Sequence, residues 1–457
     1  MPIITKYLSE YQLDNNNILL MNSLSGAMDI VDPKTKDKIK HIMNTGNTDI
    51  NDDSLLTELK DRGYLFNSEA EENDTLEKLL AIRKSSVEKN LIMFVICPTT
   101  YCNLRCTYCF ESEEIKNDSR VISDEQISNI FKHILDIRDQ RKPQYSFIEL
   151  FGGEPLLPST LEINEKIFEF AKNNNLKVSI ITNGTHIGIY KNVFEKYKEI
   201  IYNMQITVDG PKEAHDKRRI RIDKSGTFDV IVEGIDILLE IGIPVRVRIN
   251  VDATNVDYLQ EFDSFMKSKG WTEKPNFGSD VAPITDHQGS NEIEGMMEEH
   301  HIVRKIKEIY PQDTYSRLSM FRVLDHINKA FGFMSENVSF SKFSYCEANR
   351  LQFYVFSADG YVYACPETVG MKEYAIGTYS NELNLEDTKV NKWNGRNVFR
   401  IPKCKDCKIA PLCGGGCAYA AIRTNGDIDE PVCNNAENVI SEYIMSIKDV
   451  ILEKFAV

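Results

Sequence analysis

Cys102-Asn103-Leu104-Arg105-Cys106-Thr107-Tyr108-Cys109 sets three thiols at C-x3-C-x2-C spacing. A four-iron cubane is ordinarily closed by four cysteines. Three on one tight loop leave an iron open, and an open iron can bind and activate a small molecule. Structural zinc prefers two paired C-x2-C half-sites and four closed ligands. Three unrelated thiols are a poor account of spacing this regular.

Around this loop the chain repeats strand, loop and helix. Leu91–Cys97 is a continuous apolar run, as a strand buried on both faces should be. Ser123 with Gln126 predicts a capping box for a helix to about Asp139, and Ser159 with Glu162 predicts another. Phe147–Phe151, Val178–Thr182, Met204–Val208 and Val245–Val251 read as strands, with a sixth near Asn276–Val281. Thr227 caps a helix that stops at Gly242-Ile243-Pro244. Repeated βα units imply a parallel sheet. Six of them suit a partial (βα)6 barrel with its site at the C-terminal strand ends.

Those ends carry the polar residues. Gly152-Gly153-Glu154-Pro155 follows the second strand; its glycines would admit a ligand to the backbone, and Glu154 can accept from an ammonium group. Thr182-Asn183-Gly184 follows the third strand. Thr207-Val208-Asp209-Gly210-Pro211 follows the fourth, then His215-Asp216 and Arg219. Arg246, Arg248 and Asn250 alternate along the fifth strand and so share a face. Facing inward, an arginine would need a carboxylate; facing outward, it would lie among helices and solvent.

Cys102, Cys106, Tyr108 and Cys109, with the motifs after them, make residues 91–280 resemble the radical S-adenosylmethionine (SAM) enzymes. The resemblance implies a [4Fe–4S] cluster on the three cysteines with SAM on its open iron. It implies that Gly152, Gly153 and Glu154 hold the SAM amino group. Thr207, Asn183 and Asn250 would face the ribose and carboxylate, and Tyr108 the adenine. Thr207 stands where the family often has Ser, with the hydroxyl kept. Arg219 matches a His-Asp-x-x-Arg pattern, either as a SAM contact or as a loop brace. An electron from the reduced cluster would cleave SAM to methionine and a 5′-deoxyadenosyl radical, which would take hydrogen from a peptide carbon. The protein's part is to orient the cofactors and exclude water.

Seven of the eleven cysteines fall from Cys346 to Cys433. They run C-x13-G-x4-C through Gly360 to Cys365, then Cys404-x2-Cys407-x5-Cys413-x3-Cys417, then Cys433. Cys404-x2-Cys407 alone is a zinc half-site, but four of seven thiols would close one zinc and strand three. Tyr354–Ser357 and Tyr361–Ala364 flank Asp359-Gly360, a hairpin signal that would present Cys365. The set is similar to the SPASM domain, which carries auxiliary clusters in peptide-modifying radical SAM enzymes. The similarity implies that Cys404, Cys407, Cys413 and Cys433 close one [4Fe–4S] cluster, while Cys346, Cys365 and Cys417 belong to another. With the SAM-binding one, that makes three clusters. Cys97 reads as a small buried hydrophobe. Asn435–Lys454 reads as one amphipathic helix with Val439, Ile440, Tyr443, Ile444, Ile447, Val450 and Ile451 on its apolar stripe.

Residues 1–85 read as a separate module. Tyr7–Gln12, Ile18–Asn22 and Ala27–Val31 are short strands, Asp32-Pro33 opens a helix, Leu55–Leu59 fits a second ending near Gly63, and Tyr64–Phe66 fits a wing strand. Glu69–Glu77 reads as the start of a linker into a helix. This winged-helix-like pattern suits DNA, but residues 1–80 hold 15 Asp+Glu against 8 Lys+Arg, a poor balance for binding phosphates. The module resembles leader-peptide recognition domains, which add a peptide to a sheet edge; a structural cap is the rival.

The net charge of −15 excludes nucleic acid as the main partner. No apolar run approaches the roughly 18 residues of a membrane span, and no signal peptide opens the chain. Clustered cysteines in a large chain point to metal sites in a reducing cytoplasm. His287, His300, His301 and His326 show no metal spacing. The expected domains are 1–85, a radical SAM core at 90–310, SPASM at 340–440 and a helix at 441–457. The resemblance implies a maturase forming thioethers from cysteine sulfur to carbon in a ribosomally made peptide, with an electron donor such as ferredoxin or flavodoxin. Formylglycine-forming sulfatase maturation, carbon–carbon cyclisation and a non-catalytic iron–sulfur electron carrier are the alternatives. No residue is singled out as a catalytic base.

Overall fold

The computed structural model describes residues 1–285, 293–318, 320–324, 327–328, 343–350, 353–433 and 435–455. His287 and His326 lie outside them. Two compact units divide the chain: Met1–Ser86 with Glu298–Cys346 and Arg396–Val457, and Val87–Met297 with Glu347–Gly395.

In the first unit, β1 (Ile3–Ile4) pairs antiparallel with β5 (Leu65–Phe66), while β2 (Leu8–Gln12), β3 (Ile18–Asn22) and β4 (Met28–Val31) form an antiparallel sheet with β3 central. The Asp32 carboxylate accepts from Thr35 N at 2.7 Å and opens the helix Pro33–Thr45, with Pro at its first position. Asp53–Asp61 is the second helix. Ile4, Ile18, Leu20, Ile39, Ile42, Leu59 and Tyr64 close the core between them. The acidic stretch read as a linker is itself helical, within Glu69–Asn90. Its Leu76 joins Tyr7 and Leu24 in a second core with Phe343, Val398 and Ala410, against which Cys404 and Cys407 pack. The terminal helix expected as one piece is two, Ala436–Ser446 and Lys448–Phe455. The chain leaves helical geometry at Ile447 (φ −113°), and Val450, expected on the apolar stripe, is exposed while Ile447 and Ile451 are buried.

The second unit is built on one ten-stranded sheet. Its parallel part runs β11 (Phe277–Pro283), β10 (Val245–Val251), β9 (Ile201–Thr207), β8 (Lys177–Thr182), β7 (Tyr145–Leu150) and β6 (Leu91–Cys97). β12 (Phe353–Ser357) then adds parallel to β6, and β13 (Tyr361–Tyr363), β14 (Gly377–Tyr379) and β15 (Leu383–Leu385) continue antiparallel. The expected six parallel strands are present, and the expected hairpin turns at Gly360 (φ +84°). The capping box of Ser123 and Gln126 forms on the helix Asp124–Arg141. The second expected cap does not. Pro158–Thr160 makes a 3₁₀ turn and the helix begins at Leu161 with Thr160 in the cap position, so Ser159 stands one residue too early. Thr227 also makes no side-chain cap; Asp216 Oδ1 accepts from Thr227 N and Phe228 N at 2.8 and 2.9 Å instead.

Candidate active site and cysteine clusters

A cavity of about 300 Å³ opens at the C-terminal ends of the parallel strands, at the lower end of the range for small-molecule pockets. Cys102, Cys106, Cys109, Tyr108, Gly152, Gly153, Glu154, Asn183, Thr207 and Asn250 all line it. The sequence motifs therefore converge on one site.

The loop Cys102–Cys109 is stitched on both flanks. On one, Arg105 N donates to Ile220 O at 2.7 Å and Thr107 N to Arg218 O at 3.0 Å. On the other, Glu154 N donates to Tyr101 O at 2.9 Å. A Cβ on Gly153 would stand 2.1 Å from Thr100 O, and one on Gly152 2.5 Å from Thr99 O. The glycine pair thus admits the chain's own backbone, the lead-in to Cys102, where a ligand's approach was expected. Burial pushes all three thiols up, Cys109 to about 12, and Cys106 adds to the rise at Cys102 and Cys109. A bound cation relieves that cost by taking the thiolates as ligands.

Glu154 is 1% exposed. Its Oε1 accepts from Thr182 Oγ1 (2.6 Å) and Leu156 N (2.9 Å), and its Oε2 from Asn183 N (2.6 Å). Burial pushes its pKa up and these bonds pull it back. Three of roughly four acceptor positions are filled, leaving one for a further donor. Asn183 is largely committed: its Nδ2 donates to Asn103 Oδ1 at 2.8 Å and its Oδ1 accepts from Thr185. The Thr207 hydroxyl has no hydrogen-bond partner among the described residues, so it stays available to the cavity.

Tyr108 is the hub of a network. Its hydroxyl donates to Asp209 Oδ2 (2.5 Å) and accepts from Arg219 Nη1 (2.8 Å) and Asn250 Nδ2 (3.2 Å). Arg219 is 7% exposed, lines the cavity, and keeps a buried Nε with no partner. All three residues of the His-Asp-x-x-Arg pattern brace the site, Arg219 by its bond to Tyr108 on the cysteine loop. Asp216 holds the next helix start, as above. His215 Nδ1 accepts from Asp209 N at 3.2 Å, so Nε2 carries the proton toward Thr227 Oγ1 at 2.9 Å, and that hydroxyl donates to Arg219 O. Burial beside Arg219 holds His215 down at about 4, hence neutral.

On β10, Arg248 and Asn250 line the cavity, with Arg248 Nε donating to Asn250 Oδ1 at 2.8 Å. Arg246 is exposed and pairs with Asp280 on β11, so the burial argument for an inward arginine does not apply to it. Sequence reasoning left Gln205, Glu111 and Glu367 out of the lining. Only the odd-residue parity of Gln205 with Thr207 on β9 signalled any of them.

In the first unit, a Gly414-Gly415-Gly416 run with φ of +74°, +83° and +71° links Cys413 to Cys417. A Cβ on Gly414 would meet Tyr345 N at 2.5 Å, and one on Gly416 would meet Val432 O at 2.5 Å. The run thereby packs against the backbone just before Cys346 and just before Cys433. Burial pushes the Cys404 and Cys413 thiols up, Cys413 to about 12, and neighbouring cysteines add to it, Cys407 and Cys433 at Cys404, Cys404 and Cys433 at Cys413. Cys365 lies in the second unit at the end of the hairpin, and Cys97 is a fully buried free thiol. His300 sits 3.2 Å from Glu298 and its ring lies 4.0 Å from that of His301.

Residues 96–267 match the radical SAM superfamily model. The chain is 27% identical over 375 residues to a cysteine-type anaerobic sulfatase-maturating enzyme of Clostridium novyi, covering 79% of this chain and 96% of that one. It is 20% identical to the radical SAM cyclopropyl synthase TigE of Paramaledivibacter caminithermalis, over 98% of this chain and 97% of TigE. Its fold matches Streptococcus suis SuiB bound to the precursor peptide SuiA with a TM-score of 0.54 and 16% identity, over 95% of this chain and 99% of SuiB.

Proposed function

We propose that this chain is a radical SAM enzyme that modifies a peptide, and that its substrate is a small ribosomal precursor whose leader binds residues 1–85 and whose cysteine sulfur is joined to carbon. Coverage carries the precursor reading. The sulfatase-maturating relative spans about four-fifths of the chain, whereas the likeness to TigE and to peptide-bound SuiB spans 95% or more. β4 is an edge strand, the kind of element to which a leader adds.

The cofactors are SAM and iron–sulfur clusters, and the donors present suit them. Cys102, Cys106 and Cys109 supply three thiolates to one cluster. Glu154 offers its remaining acceptor position to the SAM ammonium. The Thr207 hydroxyl and the free Nε of Arg219 serve its polar oxygens, while the Tyr108 hydroxyl, itself held by Asn250 and Asp209, accepts from the guanidinium. Cys404, Cys407, Cys413 and Cys433 suit a second cluster. When bound, SAM and its cluster supply hydrogen-atom abstraction from a substrate carbon. The thioether reading is supported by the count of seven cysteines from Cys346 to Cys433, one short of closing two cubanes; a substrate thiolate is a natural ligand for the iron left over.

Formylglycine formation is the second reading, favoured by the sulfatase-maturating relative. The reduced, reconstituted protein with SAM and the precursor encoded beside its gene separates them. A product two hydrogens lighter, with a blocked cysteine and no reaction with hydrazide, is expected. A hydrazide-reactive product would establish formylglycine chemistry, and a lighter product with every cysteine still open to alkylation would overturn the thioether.

A further inference from the structure

Arg396 is a buried cation that forms no carboxylate ion pair among the described residues. It is 2% exposed. Its Nε donates to Ile428 O at 2.6 Å, Nη1 to Gly416 O at 2.9 Å and Nη2 to Gly415 O at 2.8 Å. Among the described residues no carboxylate stands within ion-pairing distance of it. Burying a cation against neutral partners alone is expensive, and such a group persists where a negative charge accompanies it.

Burial pushes the Arg396 pKa down, and the neighbouring groups that oppose this are Cys346 and Cys417, then Asp429 and Cys404. A cysteine that ligates metal does so as the thiolate. Cys417 directly follows the two glycines whose carbonyls Arg396 holds, so a thiolate there would place negative charge beside the guanidinium. The carbonyls it holds belong to Gly415 and Gly416, the last two residues before Cys417. A neutral amide could cap these carbonyls at a smaller desolvation cost, so the choice of a guanidinium points to charge.

We propose that Arg396 is the charge-balancing and positioning residue of the auxiliary iron–sulfur cluster to which Cys346 and Cys417 belong, fixing the Cys413–Cys417 loop and favouring the cluster's reduced form. This rests on the auxiliary-cluster reading. A fixed cation in a low-dielectric site stabilises the added electron, and net charge and hydrogen bonding near the sulfurs are the levers by which proteins set cluster potentials.

The test uses the full chain with Cys102, Cys106 and Cys109 changed to Ala, so that only auxiliary clusters remain after anaerobic reconstitution. Iron and sulfide content, and a potentiometric titration followed by electron paramagnetic resonance, are compared for Arg396, R396K and R396Q. With iron content unchanged, R396Q should titrate at a more negative potential and R396K should recover part of the shift. Should R396Q lose iron that R396K keeps, the charge is still what the site requires. Unchanged potential in an iron-replete R396Q protein overturns the proposal. So does equal iron loss in both variants, which would make the side chain a carbonyl cap only. A parent protein that takes up no auxiliary iron would instead sink the cluster reading itself.

Discussion

Lowering the pH perturbs one residue whose state the geometry dictates. His215 is buried with Nδ1 accepting from Asp209 N, so protonation would set a donor against a donor beside Arg219. Its pKa falls from the ordinary 6.5 to about 4. The unfolded chain thus binds a proton that the folded chain refuses between those values. Stability from this residue is complete above pH 6.5 and is lost as pH falls toward 4. The full difference is about 3 kcal/mol, and about 2 kcal/mol is already gone at pH 5. The assay is a heteronuclear NMR titration of the histidine ε1 resonances, with that of His215 assigned by its absence from the His215→Gln spectrum. The resonance should keep its neutral shift down to pH 5. A midpoint near 6.5 would refute the tautomer assignment and the hydrogen-bond chain to Thr227 and Arg219.

Glu154→Gln should weaken SAM binding at least tenfold in equilibrium dialysis, because an amide nitrogen faces the N–H groups the carboxylate now accepts from; each such buried mismatch costs about 1–3 kcal/mol. Wild-type affinity would remove Glu154 from the site. Gly153→Ala should impair iron retention at the Cys102–Cys109 loop, since its Cβ would stand 2.1 Å from Thr100 O; full iron content would show that the two segments can part. Asn22 N bonds Ala27 O across β3 and β4, so alternation directs the main-chain groups of Ile30 to the free edge. Ile30→Pro should therefore weaken precursor binding, measured by fluorescence anisotropy, while leaving SAM cleavage intact; unchanged affinity would reassign residues 1–85 as a structural cap.

The parallel strands were legible because apolar residues recur through Leu91–Cys97, Val178–Thr182 and Val245–Val251 and a polar motif follows most of them, and the motifs gather because parallel strands share one C-terminal edge. What stayed hidden depends on distant partners. Nothing local tells that Gly152 and Gly153 face Thr99–Tyr101, or that Tyr108 is tied to Asp209, Arg219 and Asn250 across 101 to 142 residues. The cap at Ser159 was misread because Pro158 turns the chain into a 3₁₀ segment first. The core that Tyr7, Leu24 and Leu76 share with Phe343, Val398 and Ala410 joins segments far apart in sequence, beyond the reach of periodicity. Arg396 looks like an ordinary surface arginine until its burial is known.

The central claim is that the cavity lined by Cys102, Cys106, Cys109 and Glu154 cleaves SAM. The most direct measurement is chromatographic quantitation of 5′-deoxyadenosine from the anaerobically reconstituted, chemically reduced protein, beside a Cys106→Ala protein prepared identically. The wild type should release 5′-deoxyadenosine over successive turnovers, and the variant none above the reagent blank. Equal release from both, or none from a wild type with full iron content, would contradict the account.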